Sequence, residues 1–292
     1  MSYVLTLVAA REATTLTDAI VGTVRDAIGG ASEPRVLSPG EAAEFFLAGP
    51  PDLDLARQAL AGAPVDVLAT RARGRRRGLL VADMDSTIVT SETLDELAVF
   101  AGVGEEIAVI TAQSMNGEID FRQALRARVA MLKGLDIAAL EKTWARTALT
   151  SGAKTLVATM AAHGAMTALV SGGFTFFTSR VAALCGFATH RANVLLDDGR
   201  ALTGAVAEPI LDRESKLAAL REFAALRGVN LRATLAVGDG ANDLSMLKAA
   251  GLGVAFRAKP VVTAELANRV DYADLRALLF AQGYAAADFA AD

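Results

Sequence analysis

Cysteine is almost missing from this chain: Cys185 stands alone among 292 residues. One thiol cannot close an internal disulfide and lacks the partners of a zinc site, so Cys185 is expected to act as a small buried hydrophobe. Net positive charge is missing too. The formal charge of −4 carries no nucleic-acid footprint. No uninterrupted apolar run reaches the ~18 residues of a membrane span. The start, Met1-Ser2-Tyr3-Val4-Leu5-Thr6-Leu7-Val8, lacks the basic stretch of a signal peptide. The expectation is a soluble cytoplasmic protein with no nucleic-acid and no membrane partner. Aromatics are sparse at 5 %, whereas 53 % of residues are hydrophobic, with alanine, leucine and valine abundant, and 21 % are charged. That composition supplies an aliphatic core for one or two domains and argues against disorder.

Residues 1–70 form one block. Val4–Val8 reads as a strand, Leu16–Ile28 as an amphipathic helix ending at Gly29-Gly30, Arg35–Leu37 as a short strand, Ala42–Leu47 as a short strand or a helix, Leu53–Leu60 as a helix and Val65–Leu68 as a closing strand. The order βαββαβ predicts a ferredoxin-like α+β sandwich. Residues 71–77, with five arginines, read as a basic linker, solvated and protease-accessible, in preference to an anion or nucleic-acid patch. From residue 78 to 292 the pattern changes. Apolar runs at Leu79–Ala82, Thr167–Val170, Thr234–Val237 and Gly253–Ala255 alternate with helical stretches. This predicts an α/β, Rossmann-like parallel sheet with helices on both faces. A helical insertion over about 91–164, broken near Gly102, Gly117 and Gly134, is expected to form a cap. Asn193–Leu196 and Ala201–Gly204 read as a hairpin.

Four polar clusters follow the strand runs. Asp83 and Asp85 leave the first strand, and alternate residues of a strand share a face. One carboxylate can attack while the other handles a proton. Ser171-Gly172-Gly173 follows the second run, and its glycines let backbone amides approach an anion. Lys216 opens the helical stretch Ser215–Leu226. Gly238-Asp239-Gly240-Ala241-Asn242-Asp243 follows the third run and suits a hard cation. Singly, each has an ordinary reading: an acidic strand end, a turn, a solvated lysine. Together, at the carboxyl ends of parallel strands, they point to phosphoryl transfer through a carboxylate nucleophile, with the anionic phosphate screened by a cation and an ammonium.

As a set, Asp-x-Asp-x-Thr, the strand-terminal serine, the lysine and Gly-Asp-x-x-x-Asp resemble the haloacid dehalogenase superfamily over residues 78 to about 280. Within it, Asp83–Thr87 with Glu92, Val170–Phe174, Asp212–Lys216 and Val237–Asp243 look like the phosphoserine phosphatase branch. The resemblance implies Asp83 as nucleophile and Asp85 as general acid, then base. It implies Mg²⁺ on the side chains of Asp83 and Asp239 and the backbone carbonyl of Asp85, with Asp243 supporting the metal site. Ser171, the Gly172 amide and Lys216 would hold the phosphoryl oxygens, and Asn242 would contact the substrate or order the site. The implied substrate is O-phospho-L-serine, hydrolysed to L-serine and phosphate in serine biosynthesis. In the cap, Glu92 would accept the ammonium, Arg128 the carboxylate, and Met115 and Phe121 would wall the site against water.

Without the resemblance, Glu92 reads as an acid in a helix's first turn. Arg128, which follows Arg122 and Arg126, reads as a charge on an exposed helix. The N-terminal block resembles an ACT-like regulatory domain, although its first loop, Ala10–Thr15, has no glycine to admit an amino-acid ligand. Two roles stay open for it: binding an amino-acid effector, and a structural role in a homodimer. Two other functions also stay open: action on another small phosphomonoester, as phosphatase or phosphotransferase, and a non-enzymatic amino-acid sensor. His163 and His190 lack local catalytic partners, and Trp144 is expected to pack the cap.

Overall fold

A computed structural model describes residues 2–290. The N-terminal unit contains β1 (Tyr3–Ala9), α1 (Asp18–Ile28), β2 (Arg35–Ser38), β3 (Ala42–Leu47), α2 (Leu53–Ala59) and β4 (Val65–Arg71). Its strands form an antiparallel sheet in the order β2-β3-β1-β4, the ferredoxin-like arrangement. Thr17 caps α1 and Asp52 caps α2, each by accepting backbone N–H bonds from the first turn. The two helices bury Val21, Val24, Leu53 and Ala56 against Leu5, Leu7, Phe45 and Val67.

Beyond it, β5 (Leu79–Ala82) starts the second sheet. Four helices follow: α3 (Thr93–Ala101), α4 (Gly104–Met115), α5 (Phe121–Ala130) and α6 (Ala138–Trp144). The expected breaks are real, since Gly102, Gly117 and Gly134 have φ of +71°, +78° and +85°, where a side chain would be strained. The chain returns through α7 (Ala153–Ala162), β6 (Met166–Phe174), α8 (Thr175–Cys185) and β7 (Thr189–Asn193). After β8 (Leu195–Asp197) and β9 (Leu202–Val206), it ends with α9 (Arg213–Arg227), β10 (Thr234–Gly238), α10 (Leu244–Ala249), β11 (Leu252–Phe256), α11 (Pro260–Thr263), β12 (Arg269–Val270) and α12 (Ala277–Ala281). The large sheet is parallel throughout, in the order β12-β11-β10-β5-β6-β7. Its central strands β5, β6 and β10 are apolar on both faces, as strands buried on both sides require. Leu80 and Ala82 face one core with Phe177 and Leu278, while Leu79 and Val81 face the other with Leu220 and Phe223 of α9. Cys185 is buried among the first set.

Three expectations change. Although it falls within the expected cap, α7 packs against β6 and α8 as a crossover helix. Asn193 closes β7 in the main sheet, so the hairpin begins at Leu195, and its β9 lies against α5. The arginine run is solvated only in part: Arg71, Arg73 and Arg76 are exposed, whereas Arg75 and Arg77 are tied down. Arg75 pairs with the buried Glu44 at 2.7 Å, and Arg77 is 9 % exposed, donating its backbone N–H to Gln282. Arginine stems bury readily when carbonyls or carboxylates meet the head. The facing sheet edges are also tied. Asn268 bonds both backbone groups of Ala69 on β4, and Asp66 accepts the amides of Asp271, Tyr272 and Ala273.

Candidate active site

Strand parity places the first carboxylate. Asp83 continues the alternation of Leu79 and Val81, so it faces the side of the sheet covered by α9. Asp212 caps α9, accepting the Ser215 amide at 3.0 Å, and thereby fixes the first turn that carries Lys216. Lys216 is therefore not a surface charge. It is fully buried, and its Nζ donates to Asp83 Oδ1 and Asp243 Oδ1, each at 2.6 Å. After Asp83 the chain leaves the sheet in a wide turn, Met84–Ile88, closed by the Val89 amide on the Met84 carbonyl. Ser86 adopts φ +55° within it. That turn carries Asp85 away from Lys216, to accept the Thr93 amide at 2.9 Å and the Ser171 hydroxyl at 3.2 Å. The two acids thus share a strand end and have different partners.

The neighbouring strand end supplies the third acid. Asp239 follows β10 and is 2 % exposed. Ligand oxygens of Asp83, Asp239 and Asp243 lie within 4.8 Å of one another. Among the described residues, three buried carboxylates meet one ammonium here. Burial, then Asp243, pushes the Asp83 pKa well above the carboxylate range against the pull of Lys216. Burial, then Glu92 and Asp83, does the same to Asp239. Burial also raises Asp85. For Lys216, burial opposes the charge, but Asp243 and Asp83 outweigh it and raise its pKa. This uncompensated, oxygen-rich cluster fits a hard divalent cation. Asp243 is held from both sides, by Lys216 and by the Gly240 amide at 3.1 Å, which leaves Asp83 and Asp239 the freer donors.

The cap closes over this floor. Asp83, Asp85, Glu92, Met115, Phe121, Arg128, Ser171, Gly172, Asp239 and Asn242, all singled out in the sequence, line one small pocket. Arg128 corrects the surface reading. On α5, Arg122 and Arg126 face outward to Asp212 and Glu208, whereas Arg128 turns inward and is 3 % exposed. Burial lowers its pKa, while Asp95, Glu92 and Asp85 oppose that shift. Glu92 accepts the Ser86 hydroxyl at 2.7 Å, and its pKa is raised to about 7 by burial first and Asp85 second. The pocket therefore carries an acid and a guanidinium above the floor. The Oδ1 of Asn242 is buried without a hydrogen-bond partner among the described residues. An orphaned acceptor of this kind calls for a ligand donor.

Glycines allow the closure. A Cβ on Gly172 would stand 2.6 Å from Phe121 Cζ, and one on Gly240 would stand 2.9 Å from Met115 Sδ. Both cap side chains rest on bare backbone. The Gly173 amide, in the Ser-Gly-Gly cluster, donates to Ser171 Oγ at 2.8 Å. Several other residues at the site escaped the sequence reading. Arg128 donates to Thr111 at 2.8 Å, and Thr111 donates to Asp95 at 2.6 Å, so a buried chain orients the guanidinium. Asn193 donates to the Gly172 carbonyl at 2.8 Å and accepts the Leu211 amide at 2.7 Å. Leu94, Leu125 and Phe174 complete the wall. The polar helix positions of Asp95 and Thr111 gave no sign that they would meet. His163 and His190 lie outside the pocket.

The chain is similar to known proteins over most of its length. A phosphoserine phosphatase of Streptomyces coelicolor is 44 % identical over 251 residues, 84 % of this chain and 61 % of its own length. A phosphoserine phosphatase of Streptococcus thermophilus is 46 % identical over 199 residues, 68 % of this chain and 93 % of its own length. A solved structure described as a phospho-aspartyl intermediate analogue of phosphoserine phosphatase is 41 % identical and superposes with a TM-score of 0.67, covering 70 % of this chain and 98 % of that one. Residues 80–248, from β5 through the Asp239 loop into α10, match the sequence model of the haloacid dehalogenase-like hydrolases, and the chain belongs to that family.

Proposed function

We propose that this chain hydrolyses O-phospho-L-serine to L-serine and phosphate through a phosphoaspartyl intermediate on Asp83. One observation carries the reading: the half-buried Glu92 and the buried Arg128, opposite in charge, share a small pocket with the Asp83–Asp85 pair. A substrate with ammonium, carboxylate and phosphate matches those three stations. The identities to phosphoserine phosphatases support the same substrate.

The chemistry divides among the residues. Asp83 attacks phosphorus in line as the serine oxygen departs, with Ser171, the Gly172 amide and Lys216 around the phosphoryl oxygens. Asp85, whose pKa burial raises, donates a proton to the leaving alkoxide and later removes one from the attacking water. Asp83, Asp239 and the Asp85 carbonyl would hold Mg²⁺, with Asp243 braced behind them. When bound, the ion supplies positive charge that lets an anionic carboxylate approach an anionic phosphate. Glu92 takes the ammonium, and Arg128, oriented through Thr111 and Asp95, takes the carboxylate bidentately. Met115 and Phe121 exclude bulk water, which strengthens these contacts. Place in serine biosynthesis and a cytoplasmic setting follow from this reading; no helix among the described residues is long and apolar enough to cross a membrane.

The test is phosphate release from a panel of phosphomonoesters with Mg²⁺, with acceptor alcohols added in parallel. O-phospho-L-serine is expected to exceed a phosphomonoester lacking the ammonium and carboxylate by at least roughly 100-fold in kcat/KM, a value expected for two charge-assisted contacts. Equal turnover of both substrates, or dominant transfer to an added alcohol, would overturn the assignment.

A further inference from the structure

A second cleft lies away from Asp83, between the N-terminal unit and the parallel sheet, and shares no lining residue with the catalytic pocket. Six arginines line it: Arg57 of α2, Arg71 at the end of β4, Arg73 and Arg77 of the connector, Arg232 before β10 and Arg269 of β12. Three carboxylates also line it, and all are engaged. Asp52 caps α2, Asp54 pairs with Arg57, and Glu265 pairs with Lys248. Arg269 is paired with Asp271. Arg71, Arg73, Arg77 and Arg232 have no ion-pair partner among the described residues.

Arg77 is the informative member, because it is 9 % exposed. Its two terminal nitrogens donate to the carbonyls of Gly74, Arg232 and Gly251, while its Nε meets no acceptor. Burial lowers its pKa, with no carboxylate opposing that shift. A buried cation without a counter-charge destabilises a fold. Arg77 holds the carbonyl of Arg232, so two of the four unpaired arginines are neighbours across the unit boundary. Arg71, Arg73 and Arg232 are exposed and free to close on a ligand.

We propose that this cleft binds a small phosphorylated metabolite through its phosphate dianion. A carboxylate presents one bidentate edge and one charge. A phosphate monoester presents nearly two charges and three acceptor oxygens, which can meet several guanidinia at once. The ligand would bridge the connector and the start of β10, adding a charge-dependent tie between the two units.

Titration calorimetry on full-length, Mg²⁺-loaded protein carrying Asp83→Asn, to prevent turnover, tests this with glycerol 3-phosphate, inorganic phosphate and malonate as probes. Glycerol 3-phosphate is expected to occupy a site whose affinity falls at least tenfold in the added Arg73→Ala/Arg232→Ala variant. The unliganded midpoint of thermal unfolding should stay unchanged in that variant, which separates loss of the site from loss of the fold. Malonate is expected to bind at least tenfold more weakly. Binding that survives Arg73→Ala/Arg232→Ala overturns the site. Malonate binding as tight as glycerol 3-phosphate overturns the phosphate class. Tighter binding of inorganic phosphate overturns the metabolite and leaves free phosphate as the occupant.

Discussion

Glu92 illustrates how one side chain records the demand of its site. Its ordinary pKa is 4.5, and burial with Asp85 nearby raises it to about 7. Between those values the folded protein binds a proton that the unfolded chain has released, so folding stability falls as pH rises through that window. Above about 7 the loss is complete, on the order of 3 kcal/mol for this group alone. Denaturant unfolding of cation-free protein is expected to show wild type losing that amount relative to Glu92→Gln between pH about 4.5 and about 7. A pH-independent difference between the two would contradict it. Mg²⁺ is expected to restore wild-type stability at neutral pH, since the cation relieves the Asp83–Asp239–Asp243 cluster. The same residue shows why sequence reading stops short. The motifs made Asp83, Asp85 and Asp239 legible as a group, but Glu92 and Arg128 look like ordinary helical charges until the cap is seen to turn them inward. Only the family resemblance singled them out.

At the level of elements, the cap works because α5 rests on the bare backbone at the end of β6. Ala at position 172 would place its Cβ 2.6 Å from Phe121 Cζ, so Gly172→Ala must turn the Phe121 ring out of its place, push α5 outward or twist β6. Its kcat/KM is expected to fall about tenfold or more, through KM. Phe121→Ala removes the obstructing ring, so Gly172→Ala/Phe121→Ala is expected to be little worse than Phe121→Ala alone. Fully additive losses in the double-mutant cycle would contradict a steric link. Elements differed in how clearly they were written. Strands β5, β6 and β10 are apolar on both faces and stand out as runs. By contrast, β7 is Thr-His-Arg-Ala-Asn, a half-exposed edge strand, and β12 has two residues; neither has an apolar run to read. Period alone could not separate α7 from the cap, because an alanine-rich helix packs equally well on helices or on a sheet. What claims α7 is β6 and α8, the two elements that follow it, and not its own pattern.

For the molecule as a whole, the two units meet edge to edge through polar side chains standing in for strand backbone. Asn268 pairs both backbone groups of Ala69, and Asp66 gathers three amides. Asn268→Ala leaves those groups of Ala69 without their side-chain partner and is expected to weaken the contact by about 1–2 kcal/mol. Hydrogen exchange at the Ala69 amide is the readout, and unchanged protection there would contradict the tie. None of this was legible beforehand, since an asparagine 199 positions from its partner carries no local signal. The parallel sheet and the ferredoxin-like unit were legible, because their patterns repeat over many residues. The proposed reaction turns on a covalent step at Asp83. The most direct measurement is rapid acid quench of protein turning over radiolabelled O-phospho-L-serine with Mg²⁺, followed by mapping of the label. The account predicts an acid-stable, base-labile phosphoryl group on the peptide containing Asp83, absent in Asp83→Asn, which loses more than about a thousandfold in turnover. Product formation with no label on Asp83, or turnover retained in Asp83→Asn, would contradict it.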